Sequence, residues 1–166
     1  MRSEIVVNCS CALLPKKMID WVTNQGADII CFQEYYNDNK SDTYNTRQKI
    51  INKEYKYSYV LANNSNRIGA QFGLAIFSKF PMVEKGSVPF GSEDNQNQFI
   101  FADILYKGDT IRVFNVHLHS MKLRVNEIVA EKNEDKKLVK IKETIRRMKE
   151  GFIAHSREAT ILKSFI

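Results

Sequence analysis

Residues 4–34 constrain the fold of this chain more than any other stretch. "EIVVNCS" (4–10) reads as a short strand, and "LLPKKMIDWVTNQG" (13–26) as a helix with Pro15 in its first turn. Leu14, Met18, Trp21 and Val22 share one face of that helix, and Gly26 is a fitting C-terminal stop. "ADIICFQE" (27–34) follows as a continuous apolar run, the pattern of a strand buried on both faces. Strand, helix and strand within about 30 residues make a βαβ unit, which requires two adjacent parallel strands.

The rest of the chain extends this into an α/β layered domain. A short helix is expected at "TRQKIINKEY" (46–55), with strands at "KYSYVLA" (56–62) and "FGLAIFSK" (72–79), the latter stopped by Pro81. "QFIFADILY" and "TIRVFNVHL" flank Lys107-Gly108-Asp109, a hairpin signal. In the second arm Ile111, Val113, Asn115 and His117 share one face, and Phe114, Val116 and Leu118 the other. From 138 onward Leu138, Ile141, Ile145, Met148, Phe152, His155, Ala159, Leu162 and Ile166 recur at alternating spacings of three and four. That is one stripe along a long helix, with Gly151 as a candidate break.

Charge matters for where it lies. Residues 122–150 hold ten Lys/Arg against six Asp/Glu, so this segment supplies +4 of the formal +6. It reads as a charged insertion, either a solvated helix face or a surface that draws anionic substrates, nucleic acid or lipid headgroups. No run approaches the roughly 18 apolar residues of a membrane-spanning helix, and no signal peptide follows Met1. Three cysteines (Cys9, Cys11, Cys31) without CxxC spacing favour a reducing compartment over a disulfide framework. A cytoplasmic location is favoured for the chain as given, with an upstream leader or anchor left open.

Ligands of open α/β sheets bind beyond the carboxyl ends of strands. Three polar residues close apolar runs: Asn8 after "EIVV", Glu34 after "ADIICFQ" and His117 after "IRVFNV". A carboxylate at such a position suits a hard cation, an amide can add an oxygen ligand, and an imidazole can contact or protonate a phosphate. His119 lies past the strand and reads as solvent-exposed, and His155 reads as a partly buried, hydrogen-bonded histidine.

Together the segments resemble the endonuclease/exonuclease/phosphatase superfamily, the DNase-I-like fold. Asn8 in "VVN" stands where the family has S-(W/Y)-N, without the aromatic. Ala27 to Glu34 match P-D-(I/V)-(I/V/L)-x-(L/F)-Q-E, with Ala27 replacing proline. Gly73, Ala75, Ile76, Ser78, Lys79 and Pro81 match G-x-A-(I/L)-x-S-(K/R)-x-P, and Asn115, His117 and Leu118 match N-x-H-L. In "HSREA", His155 and Glu158 stand in the places of the Arg and Gln of a family R-x-x-Q-A.

The resemblance implies part of a four-layer α/β/β/α sandwich, the first sheet plus helices, formed by residues 1–166 as a truncated domain. It implies hydrolysis of a phosphodiester or phosphomonoester with Mg²⁺ (or Mn²⁺) as cofactor. Glu34 would be the principal metal ligand, Asn8 would assist at the metal or phosphate, and His117 would contact or protonate the phosphoryl group. The substrate would be a phosphate ester of a nucleic acid, a phospholipid or an inositol phosphate. The family's later motifs, G-D-x-N and S-D-H, do not occur in residues 1–166, so this chain by itself is expected to be nearly inactive. An uncovered apolar sheet face is expected to drive self-association. The alternative is a non-catalytic phosphate- or nucleic-acid-binding module of the same fold.

Overall fold

The computed structural model describes residues 5–8, 15–65, 69–91, 97–121 and 123–166. The side chains of β1, Asn8 among them, lie outside what is described, as do Leu14 and residues 92–96. The elements run β1 (Ile5–Asn8), α1 (Pro15–Thr23), β2 (Ile29–Asn37), α2 (Thr46–Ile51), β3 (Tyr57–Ser65), β4 (Gln71–Ser78), β5 (Met82–Pro89), β6 (Gln98–Tyr106), β7 (Asp109–His117), α3 (Val125–Val129) and α4 (Glu134–Lys163).

Residues 1–117 form one compact unit and residues 118–166 another. In the first, β1 and β2 pair in parallel, as the βαβ reading requires. The sheet order is β1-β2-β4-β3, with β4 antiparallel to both neighbours. A second, antiparallel sheet has the order β5-β6-β7. The sandwich is thus represented by both of its sheets, and β5, which polar "EKGS" had concealed, pairs along β6.

Side-chain alternation sorts the core into two layers. On β4, Ala75 and Phe77 join Ile19 and Val22 of α1, Ile50 of α2, and Ile30, Phe32 and Tyr35 of β2. Leu74 and Ile76, with Cys31, instead meet Ile100, Ala102, Ile104 and Val113 of the second sheet. β4 is buried on both faces because helices cover one and a sheet the other, and its near-continuous apolar run follows from that. Trp21 differs from expectation: it is 58% exposed. The buried face of α1 is set by Ile19 and Val22, three residues apart, and Trp21 falls beside it.

Glycine marks two places where the chain needs it. Lys107 and Gly108 both have positive φ (52° and 94°), the two-residue turn whose twist matches the β6–β7 hairpin. At Gly73 an added Cβ would stand 2.0 Å from the Leu61 carbonyl oxygen, so β3 and β4 can approach only because residue 73 has no side chain.

In the second unit α4 runs 30 residues without interruption at Gly151. Asn133 caps it by accepting a hydrogen bond from the Lys136 N–H. Gly151 is buried, and a Cβ there would stand 2.5 Å from Met121 Cγ. The glycine therefore serves close packing and not a break. The apolar stripe is largely open: Leu138, Ile145 and Phe152 are all more than half exposed.

Candidate active site

Glu34 owes its placement to a bulge. Along β2, Ile30 and Phe32 face the helices, so strict alternation would aim Glu34 into that apolar core. The β2–β4 register instead shifts between Phe32 and Tyr35, and Glu34 takes φ 52°, the left-handed region. One extra residue resets the alternation: Tyr35 returns to the helix-facing core and the Glu34 carboxylate stays exposed. Glu34 therefore does not end its strand, as its position after an apolar run suggested; β2 continues to Asn37. A left-handed non-glycine residue costs about 1–2 kcal/mol, and such strain is concentrated at functional sites.

The bulge lies beside the ends of two other strands. Asn8, the last residue of β1, is in register with Phe32. On the opposite sheet Asn115 is buried, and its Nδ2 donates to the carbonyl oxygens of Phe32 (2.8 Å) and Ala75 (3.0 Å). Two carbonyl acceptors can be met only by the amide NH₂, which fixes the orientation of the side chain. In return Gln33 Nε2 donates to the Val116 carbonyl oxygen at 2.7 Å. These bonds hold residues 32–33, next to Glu34, against residues 115–116, next to His117.

His117 closes β7, half-buried and in register with Gln98 of β6. His117 Nδ1, Gln98 Nε2 and Asn115 Oδ1 are all buried without a hydrogen-bond partner. Tyr35 Oη, in the helix-side core, is a fourth such atom. Sequence reasoning selected Glu34 and His117 but passed over Gln33, Asn115 and Gln98 as actors. Gln33 and Asn115 stood within the motifs, yet their partners are carbonyls 83 and 40 residues away.

Among the described residues no group of three or more His, Cys, Asp or Glu forms a metal cage. Mg²⁺ does not require one, since it keeps several waters and takes one or two carboxylates plus substrate phosphate. The exposed Glu34 carboxylate is an oxygen ligand of that kind. A cavity lined by Ile19, Asp20, Lys49, Asn52 and Lys53 belongs to α1 and the α2 end, away from these strand ends.

The other two histidines are accounted for. His119 is exposed, and its backbone N–H donates to both carboxylate oxygens of the buried Glu158 (3.2 and 3.1 Å). His155 Nε2 donates to the His119 carbonyl oxygen at 2.7 Å.

The model of a known family, described as the Endonuclease/Exonuclease/phosphatase family, matches residues 7–134 of this chain. The chain belongs to that family. No curated protein sequence gives a significant match. Among solved structures, the family member from Beutenbergia cavernae is 13% identical with a TM-score of 0.52, over 64% of this chain and 33% of that one. The member from Leptotrichia buccalis is also 13% identical with a TM-score of 0.52, over 72% of this chain and 56% of that one. A beta toxin mutant from Staphylococcus aureus, solved with bound magnesium ions, is 21% identical with a TM-score of 0.44, over 64% of this chain and 43% of that one. This chain thus spans less than two thirds of the length of each. At such identities the likeness to the first two shows the fold of the family.

Proposed function

We propose that this chain carries the metal- and phosphate-binding side of a phosphoester hydrolase. The observation that supports the reading is the arrangement around Phe32: a strained bulge presenting Glu34, the end of β1 with Asn8 in register, and the end of β7 with His117. In this reading Glu34 is the principal Mg²⁺ (or Mn²⁺) ligand, and Asn8 adds an amide oxygen to the metal or holds a phosphate oxygen. When bound, the metal neutralises charge on the phosphoryl oxygens and makes an attacking water more acidic.

The remaining steps belong to the protein. The buried Nδ1 of His117 has no acceptor to donate to, so the imidazole proton rests better on Nε2. From Nε2 the neutral ring would donate a hydrogen bond to a phosphoryl oxygen as charge develops there. Transfer of a proton to a leaving-group oxygen would require the imidazolium, which returns to neutral imidazole. The base that activates water is assigned to the G-D-x-N and S-D-H motifs of the family, absent from residues 1–166. Turnover by these residues alone should therefore be slow. The substrate class is a phosphate ester of nucleic acid, phospholipid or inositol phosphate; the formal charge of +6 favours an anionic partner.

The test is metal-dependent cleavage of DNA, RNA, sphingomyelin and inositol phosphates by a protein that joins these residues to the G-D-x-N and S-D-H motifs. Turnover should stop on chelation and fall at least about a hundredfold in Glu34→Gln and His117→Ala, the scale of losing a general acid or metal ligand. Turnover that survives both chelation and Glu34→Gln contradicts the reading. Phosphate-ester binding with no turnover, in a protein that contains G-D-x-N and S-D-H, would support the binding-module alternative.

A further inference from the structure

We propose that Gln33 and Asn115 are positioning residues: a reciprocal pair of amides that sets the separation between the Glu34 carboxylate and the His117 imidazole. The proposal rests on the reading of Glu34 and His117 as one site. Its geometry is symmetrical. Gln33, the residue before Glu34, donates to the carbonyl of Val116, the residue before His117. Asn115, two residues before His117, donates to the carbonyl of Phe32, two residues before Glu34. Each strand segment thus grips the other one or two residues short of its functional side chain.

Three features argue for a role beyond cohesion. A bulge breaks the ladder between Phe32 and Tyr35, so regular β2–β4 pairing does not hold Glu34 in place. The amides supply fixed points on the bulge's near side, and they reach across to the other sheet, where His117 sits. Secondly, Asn115 is a poor choice for packing alone. It is buried, in register with Ile100, with Oδ1 unpartnered, a cost an apolar residue would avoid. Thirdly, Asn115 also bonds Ala75 of β4, the register partner of Phe32. One side chain therefore ties both strands that frame the bulge to the strand that carries His117.

A site whose groups must cooperate on one phosphate needs them held to within about 0.5 Å. The experiment uses Mn²⁺ alone as the probe, in the 166-residue chain, and reads its paramagnetic relaxation of the His117 ring protons by NMR. That relaxation falls steeply with distance and does not depend on turnover. Gln33→Met and Asn115→Leu keep side-chain volume while removing the donors. Both should retain Mn²⁺ binding within about threefold, because Glu34 is untouched, while the relaxation of His117 falls to roughly half or less, the signature of a site about 1 Å looser. Tyr55→Phe is the control. It removes a buried hydrogen bond to the Ala27 carbonyl on the helix side and should lower stability without changing the relaxation.

If Asn115→Leu does not fold, Gln33→Met carries the test, since Gln33 is only half-buried. Unchanged His117 relaxation in the folded variants overturns the positioning role and leaves the site reading intact. No relaxation of His117 by bound Mn²⁺ in the unsubstituted chain overturns the site reading, and the proposal with it.

Discussion

At the scale of the residue, Glu34 shows stability yielding to placement. Its φ of 52° holds a carboxylate clear of the helix-side core. The expected outcome of Glu34→Gly is a chain at least as stable as the parent, because glycine tolerates this conformation where Glu incurs about 1–2 kcal/mol. Glu34→Val should instead destabilise by roughly 1–3 kcal/mol, since branching at Cβ is poorly tolerated at positive φ. Denaturant unfolding of the two variants checks the ordering. Cys31 offers a second residue-scale prediction. Burial between the sheets pushes its thiol up to about 12, so little thiolate forms at pH 8. Alkylation of Cys31 should be slowed at least about a hundredfold in the folded chain relative to the unfolded one, read by mass spectrometry. The candidacy of Glu34 rests on the sequence; its strain was not legible there, because nothing in "FQEYY" announces a register shift.

At the scale of the element, β4 organises the first unit. Gly73 is in register with Tyr35, just past the β2 bulge, and with Ala62, where the β3 register also shifts. Gly73→Ala drives a Cβ against the Leu61 carbonyl and should cost about 3 kcal/mol in equilibrium unfolding, at the upper end of overpacking effects. On the second sheet Glu84, Asp103 and Arg112 form a cross-strand row, with Asp103 and Arg112 joined at 2.7 and 2.8 Å. The hydrogen bonds from Arg112 hold the Asp103 carboxyl below its ordinary value. A depressed carboxylate contributes stability that is present above its unfolded pKa, near 4, and is lost as pH falls through the folded value. Melting temperatures at pH 7 and pH 3 should therefore drop further for the parent than for Asp103→Asn. The period-2 and continuous apolar patterns revealed most strands, and Lys107-Gly108 revealed the hairpin. β5 escaped because one of its faces is solvated and its pairing, not its composition, makes it a strand. The Gly151 break was misread because a glycine needed for close contact with Met121 looks the same in sequence as one that ends a helix.

At the scale of the whole molecule, the family model covers residues 7–134, and the bulge at Glu34 and the end of β7 are tied together within residues 1–117. Three of the four motif segments have a structural duty beside any chemistry. Gly73 admits β3, Ser78 Oγ accepts from the Phe80 N–H at the turn between the sheets, and Asn115 and Gln33 tie the sheets together. That double duty explains why spacing could pick out the segments yet could not say which of their residues act on substrate and which hold the frame. No described helix is long and apolar enough to cross a membrane. The central claim is that Glu34 serves a divalent cation beside His117. Calorimetric titration of the 166-residue chain with Mn²⁺ tests it most directly. The account predicts binding that weakens at least tenfold, about 1.4 kcal/mol, in Glu34→Gln and only slightly in Tyr55→Phe. Equal Mn²⁺ affinity in the parent and in Glu34→Gln would contradict it.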